Sequence, residues 1–350
     1  HAIGCLHIMQ KALEKLEQKG VIVNADEKEA AMAAILLHDI GHGPFSHAME
    51  NSIVENINHE QIGLLFIEKL NEEFNGSLTL AIKIFKGSYH RPFLHQLVSG
   101  QLDMDRTDYL KRDSFYTGMA EGNINTDRIL AMLNVKDDHL MVEEKGIYTI
   151  EKFLVARRLM YWQVYLHKTS LVAEQVLVRV LKRAKELTHK GIDLPASRPL
   201  SFFLKKTNAE GNFDDHALEV FAQLDDYDVI SAMKSWCDHD DFVLRKLSQI
   251  IINRKLPRIK IKKKPFATEF ITEQKEAVKS QMNLTDEEVE YFVFTGTITN
   301  QAYTLKKEAI NILTKKGKVV DVISASDQLS LKALSKVITK NYICYPKHLF

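Results

Sequence analysis

Three histidines and an aspartate fall within ten residues in the string His38-Asp39-Ile40-Gly41-His42-Gly43-Pro44-Phe45-Ser46-His47. Imidazole nitrogen with carboxylate oxygen is a donor mixture that holds Mn, Fe, Zn, Ni or Mg without selecting one of them. The pair follows an apolar run, AAMAAILL, and adjacent residues on a helix diverge by roughly 100°. His38 and Asp39 can therefore serve one ion only where that helix ends, and Gly41 and Gly43 are expected to end it. Two donors are not enough for a bound divalent ion. His1, opening the run HAIGCLH, and Asp105, within QLDMDRTDYLKRD, are the candidates for the rest. Together they make a His–His–Asp–Asp set with positions left for water and substrate.

Other groups suited to proton transfer and anion binding surround this set in the sequence. His42 and His47 follow the pair, and His59-Glu60-Gln61 opens a further helix after Asn58, a good N-cap residue. An imidazole titrates near neutrality and serves as general acid or base after small shifts. Glu50 and Glu60 are the carboxylates placed to orient these rings. Asp105, Tyr109 and Asp113 are spaced by four and share one helical face. Arg157, Tyr161 and Tyr165 do the same on a long helix expected at about 147–187, with Lys168 close behind. Arginine grips phosphate through a rigid fork, and tyrosine stacks on a base or sugar. Each feature alone has an ordinary structural reading as a cap, a core stripe or a solvated face. Asp108 with Arg112 is read as such a surface pair, with no function attached.

Together the strings are similar to those of the HD-superfamily dNTP triphosphohydrolases, a group that includes bacterial dGTPases and the SAM-and-HD-domain dNTPase. The carriers are an HxxG at residues 1–4, HDxGHGPFSH at 38–47, HEQ at 59–61, DxDRxDYLxRD at 103–113 and R-x7-Y-x-H-K at 157–168. The resemblance covers roughly residues 1–190 and, more loosely, the chain to about 265. It implies a mainly α HD-domain helical bundle with a divalent metal ion held by His1, His38, Asp39 and Asp105. It implies that His42 and His59 border the phosphates and that His47 is the general acid toward the leaving 5′ oxygen. Arg106 would contact phosphate, although lysine stands at that position in the best-known member, and Arg157 would line the nucleotide pocket; Lys168 is a further candidate phosphate contact by its charge. Tyr109 and Asp113 would hold the sugar at its 3′ hydroxyl, and Tyr165 would line the nucleotide pocket. The implied reaction yields a deoxynucleoside and inorganic triphosphate by attack on the α-phosphorus; the spacing itself does not distinguish α from γ attack. Two alternatives stay open: an HD phosphohydrolase acting on nucleoside monophosphates or cyclic nucleotides, and a nucleotide-binding regulator with a vestigial HD site.

The elements that must carry these residues are mostly helical. Residues 1–190 form the expected catalytic core, with helices at about 59–74, 77–86, 90–99 and 101–114 and a small hairpin near 131–149. Residues 191–265 form a helical extension with a polar turn at 208–212, ending in the basic strand Arg254–Pro265, where Ile259 and Ile261 alternate with lysines. Residues 266–350 are expected to form a small α+β unit, with helices at 269–281 and 328–339 and strands in YFVFTG, KVVDVIS and NYICYP. The basic strand reads either as a protected edge or as a regulatory nucleotide or weak nucleic-acid patch between subunits. The resemblance implies a homo-oligomer, dimer or tetramer, that in some members is activated by a bound nucleotide.

At 350 residues, 45% hydrophobic and 27% charged, the chain has the composition of an ordinary globular protein. A net charge of +1 argues against a general nucleic-acid coat protein. Three scattered cysteines form no CxxC pair, which fits a reducing cytoplasm, and no apolar run reaches membrane-spanning length. The chain begins at His1 inside a helical pattern, so an upstream segment is expected.

Overall fold

The computed structural model describes residues 1–50, 52–54, 56–206, 213–304, 309–327 and 334–347. Along the chain come α1 (Ala2–Gln18), α2 (Ala25–Leu36), α3 (Ser46–Glu50), α4 (His59–Glu73), α5 (Thr79–Phe85), α6 (Pro92–Val98), α7 (Met104–Thr117) and α8 (Thr126–Met132). A hairpin of β1 (Leu133–Lys136) and β2 (His139–Glu143) leads to α9 (Ile147–Met160), a π-helical turn at Tyr161–Tyr165 and α10 (Lys168–His189). Next are α11 (Arg198–Lys205), α12 (Asp215–Phe221), α13 (Asp226–Trp236), α14 (Phe242–Ile252), β3 (Arg258–Lys262), α15 (Thr268–Met282) and α16 (Asp286–Val289). The chain closes with β4 (Phe294–Asn300), β5 (Asn311–Leu313), β6 (Val319–Asp321), α17 (Val322–Ala325) and β7 (Ile338–Tyr345).

These elements form two compact units, each assembled from segments distant in sequence. One comprises His1–Gly41, Gly63–Val164 and Asn300–Ile338; the other comprises His42–Ile62, Tyr165–Thr299 and the chain from Thr339. The sequential divisions at 190 and 265 are thus not the divisions of contact, and one boundary falls inside the HD string, between Gly41 and His42.

In the first unit, α1 buries Cys5, Ile8, Met9, Ala12, Leu13 and Leu16 along one stripe and packs on α2 and α7. Each large apolar side chain so buried contributes about 2 kcal/mol. α2 starts in a capping box: Glu27 N–H donates to Asn24 Oδ1 at 2.8 Å, and Asn24 N–H donates to Glu27 Oε2 at 3.1 Å. The buried Glu27 also accepts from Arg91 Nη1 at 2.8 Å and from the Tyr89 hydroxyl at 2.9 Å. α2 stops at Leu36, before His38 and well before the first glycine, so Gly41 and Gly43 do not end it. Leu37, with φ −97° and ψ 0°, makes the exit instead. The hairpin turns at Asp137-Asp138, both left-handed with φ 52° and 54°, as a two-residue turn requires.

The long helix expected at 147–187 is interrupted. α9 ends at Met160, the π-turn follows, and α10 restarts after His167. A π-turn advances the helical phase, so the spacing-by-four argument that put Arg157 and Tyr165 on one face does not hold through it. Arg157 belongs to the first unit and Tyr165 to the second.

The carboxy-terminal strands pair with one another and also with earlier strands. β5 pairs parallel to β2 and antiparallel to β6, completing the sheet β1-β2-β5-β6. β7 pairs antiparallel to β3 in a second sheet ordered β3-β7-β4. Within β3 the expected alternation holds: Arg258, Lys260 and Lys262 are exposed, and Ile259 and Ile261 are half-buried. The expected turn at 208–212 and the first half of the expected helix at 328–339 lie outside the described residues; the end of that helix is instead the start of β7. No helix among the described residues is long and apolar enough to cross a membrane, and Cys5, Cys237 and Cys344 are free thiols.

Candidate metal centre

His1, His38, Asp39 and Asp105 converge within the first unit. His1 sits at the N-cap of α1, His38 and Asp39 in the turn after α2, and Asp105 in the first turn of α7. The α7 start is fixed by Asp103, whose buried carboxylate accepts from Arg106 N at 2.7 Å and Gly100 N at 2.9 Å, a cap worth about 1 kcal/mol. His1 Nε2 lies 2.9 Å from Asp105 Oδ1 and 3.6 Å from Asp39 Oδ2. His38 Nε2 lies 3.3 Å from Asp39 Oδ1 and 3.6 Å from Asp105 Oδ1. Donors each about 2.1 Å from one ion can be at most roughly 4.2 Å apart, and all four separations satisfy that bound. His38 Nε2 is buried and makes no hydrogen bond among the described residues. A buried imidazole nitrogen aimed at two carboxylates, with no hydrogen-bonding partner of its own, fits a divalent metal ion.

The opposite nitrogen of each ring is held from behind. His38 Nδ1 donates to the Ile35 carbonyl at 2.7 Å, and His1 Nδ1 donates to Asp108 Oδ2 at 2.7 Å. Such partners fix the tautomer and turn Nε2 toward the ion. Asp108 is in turn gripped by Arg112, Nε to Oδ2 at 2.6 Å and Nη2 to Oδ1 at 3.0 Å. This pair, read from sequence as solvated, instead supports the His1 ring. Gly4 leaves room for it: a Cβ there would lie 2.2 Å from Asp108 Oδ1 and 2.3 Å from Arg112 Nη2. Cys5 packs against His1 from one turn along α1, its buried Sγ 3.5 Å from Nδ1. Burial is the main influence raising that thiol above its ordinary pKa.

The electrostatics follow from this crowding. Hydrogen bonds donated to Asp105 and then to Asp108 push the His1 pKa up to about 12 in the metal-free chain. Burial opposes ionisation of both His38 and Asp105. The proximity of Asp105 and Asp39 nevertheless raises His38, while the hydrogen bond from His1 and the nearby His38 ring hold Asp105 well below the carboxylate range.

Along α7 the next residues build outward from the ion site. Arg106 Nη1 is hydrogen-bonded to Asp103, and its Nε is buried without a hydrogen bond among the described residues. One turn after Asp105, Tyr109 is kept protonated chiefly by burial, and Tyr161, Arg157 and Arg106 are close enough to act on it electrostatically. Arg157 has both Nε and Nη1 buried without hydrogen bonds among the described residues. Asp113 follows one further turn on, half-buried.

The second unit gathers its own cluster. The His42 and His59 rings stack at 4.1 Å with 16° between planes, and His47 meets both edge-on at 6.0 and 5.7 Å. His59 Nδ1 donates to Glu50 Oε1 at 2.7 Å, and His42 Nδ1 is hydrogen-bonded to Ser46. Glu50 is therefore the carboxylate that orients the cluster, whereas Glu60 is exposed at the start of α4. Asn58 and Gln61 cap α4 reciprocally, at 2.9 and 3.0 Å. Phe45 takes a left-handed φ of 47°, rare for an aromatic residue and typical of strained functional loops. Tyr165 ends the π-turn half-buried, and Lys168 is exposed at the first residue of α10.

Sequence spacing missed Asp108, Gly4 and Cys5 as parts of this centre. The signal for Gly4 was present in the HxxG string, but the reason for a glycine there emerges only when α1 meets α7.

Residues 1–113 match the HD domain family and residues 124–195 the HD associated region. A crystal structure of a phosphohydrolase from Bacteroides thetaiotaomicron is 48% identical, with a TM-score of 0.94, covering 99% of this chain and 87% of that one. An uncharacterized protein of Bacillus subtilis, YwfO, is 31% identical over 266 residues, 73% of this chain and 59% of its own length. The Dictyostelium discoideum homolog of deoxynucleoside triphosphate triphosphohydrolase SAMHD1 is 26% identical over 206 residues, 53% of this chain and 40% of its length. The matches thus span less than two thirds of these curated relatives.

Proposed function

Since this chain belongs to the HD-domain phosphohydrolases, we propose that it hydrolyses deoxynucleoside triphosphates to a deoxynucleoside and inorganic triphosphate. One observation carries the reading: Arg157, whose buried Nε and Nη1 find no hydrogen-bond partner among the described residues, neighbours Tyr109, one helical turn from the metal ligand Asp105. A metal position beside an anion-seeking fork and a buried tyrosine hydroxyl suits a phosphate chain attached to a sugar. The similarity to SAMHD1 proteins supports a deoxynucleoside triphosphate as the substrate.

His1, His38, Asp39 and Asp105 would hold a divalent ion, whose chemistry would be to neutralise charge on the phosphate chain and to lower the pKa of water. Arg106, Arg157 and Lys168 balance the charge of the phosphate chain. Tyr109 and Asp113 hold the sugar, and Tyr165 lines the nucleotide pocket. His42 and His59 border the phosphates, and His47 delivers a proton to the departing 5′ oxygen. Glu50 keeps the Nδ1 proton of His59 in place, which leaves Nε2 as that ring's acceptor. The same reading includes a homo-oligomer and a nucleotide effector at the basic strand β3.

The test is incubation of metal-loaded protein with each dNTP, singly and mixed, with products separated by anion exchange. Deoxynucleoside plus triphosphate, lost in Asp39→Ala, is the expected result. Pyrophosphate or single phosphate as product would overturn attack at the α-phosphorus. No turnover of any dNTP by metal-loaded protein would overturn the substrate class, leaving monophosphates or cyclic nucleotides.

A further inference from the structure

In the second unit, α10 turns Gln175, Arg179 and Lys182 onto one face, at spacings of four and three. They line a cavity of about 510 Å³ together with Val178, Glu290 and Tyr291. None of the metal-centre residues contributes to it. The Arg179 guanidinium lies 3.3 Å over the Phe294 ring centroid, and its Nη1 donates to the Gln175 carbonyl at 2.8 Å and to Gln175 Oε1 at 3.3 Å. Both acceptors are neutral. Burial lowers the Arg179 pKa from its ordinary value, the mark of a charge short of solvation. Glu290, which lines the cavity, is committed to Lys275, and Glu186, one turn beyond Lys182 on α10, to Arg183 at 3.2 Å and to the Tyr291 hydroxyl. Among the described residues neither Arg179 nor Lys182 is within ion-pair distance of a carboxylate. A half-buried guanidinium with neutral partners is costly unless an anion completes it.

We propose that this cavity is a phosphate-binding site, separate from the metal centre, in which Arg179 and Lys182 together hold the phosphoryl group of a small ligand. A planar fork plus a point charge suits a dianion better than a single carboxylate. The volume falls in the range of small-molecule sites, roughly 300–1,000 Å³, so it accommodates either inorganic phosphate or a phosphoryl group on a nucleotide-sized body.

The test is calorimetric titration of the full metal-loaded chain with inorganic phosphate and with AMP, for the unmodified protein, Lys182→Gln and Arg179→Gln. Lys182 is exposed, so its substitution removes charge without disturbing the core. Saturable binding weakened at least tenfold in both variants, with metal content unchanged, is the expected result. AMP binding tighter than phosphate would identify the ligand as an organic phosphate, and equal affinity would identify the free ion. Unaltered binding in both variants would assign the phosphate to another site and overturn the proposal. Absence of saturable binding of either probe to the unmodified chain would overturn it as well.

Discussion

Asp108 Oδ2 accepts a hydrogen bond from His1 Nδ1 at 2.7 Å, so a residue outside the HD string sets the direction in which the first metal histidine points. The expected consequence is a loss of metal affinity of about 10–100-fold in Asp108→Asn, with all four ligands still present. Gly4→Ala should act in the same direction, because its Cβ would occupy the space of the Asp108 carboxylate. Chelator competition measures both, and thermal melting of the variants separates lost affinity from lost fold. Unchanged affinity in Asp108→Asn would show that the contact does not position His1.

Metal uptake is expected to release protons. The metal-free His1 pKa is raised to about 12 by Asp105 and Asp108, and His38 is raised as well, yet both must be neutral at Nε2 to ligate. At pH 7 at least one proton leaves per ion bound, and affinity climbs about tenfold per pH unit. In the metal-free fold the His1 charge contributes stability that is complete below pH 6.5 and fades as pH rises through about 12. Raising pH from 6.5 therefore trades that contribution for metal binding. Calorimetry in two buffers of different ionisation heat counts the protons, and a count of zero at pH 7 would contradict the assignment of His1.

Glu50 and Glu60 were equal candidates for orienting the histidines, and only Glu50 reaches His59. Glu50→Gln is expected to lower turnover by about tenfold or more while the metal content stays constant. Glu60→Gln is expected to leave turnover within about twofold, since surface substitutions away from such contacts have small effects. Steady-state rates with metal analysis distinguish them, and the reverse ranking would return the role to Glu60.

Arg91→Ala should destabilise the first unit by about 3 kcal/mol, because it strands the buried Glu27 that caps α2. Burial works against the Glu27 charge, but the Asn24 N–H and Arg91 outweigh it and lower the pKa below 4.5. The contribution is thus present above pH 4.5 and lost as pH falls through the folded value. Urea melts at pH 7 and pH 3.5 read both parts; a difference that persists undiminished in acid would refute the charge argument.

Much of the candidate site was legible in the sequence because its residues lie in short strings. Neighbours such as His38 and Asp39 stay close whatever the rest of the chain does, and a spacing of four on α7 aligns Asp105 with Tyr109 in any helix. The helices of residues 1–117 and the hairpin were equally local, set by caps, apolar periodicity and a two-residue turn. His1 and Asp105 were nominated by residue type and assigned to the HD pair by resemblance, since nothing local brings residues 104 positions apart together. The tertiary structure alone decided the rest. Asp108 and Arg112 look identical as a solvated pair and as a buried one until α1 packs on α7 and removes the water. The π-turn at Tyr161–Tyr165 breaks a helix that apolar periodicity carries straight through, because a single inserted residue alters the phase without altering the composition. The last strands pair not only with one another but also with β2 and β3, a choice made by long-range ladders that single-strand patterns do not encode.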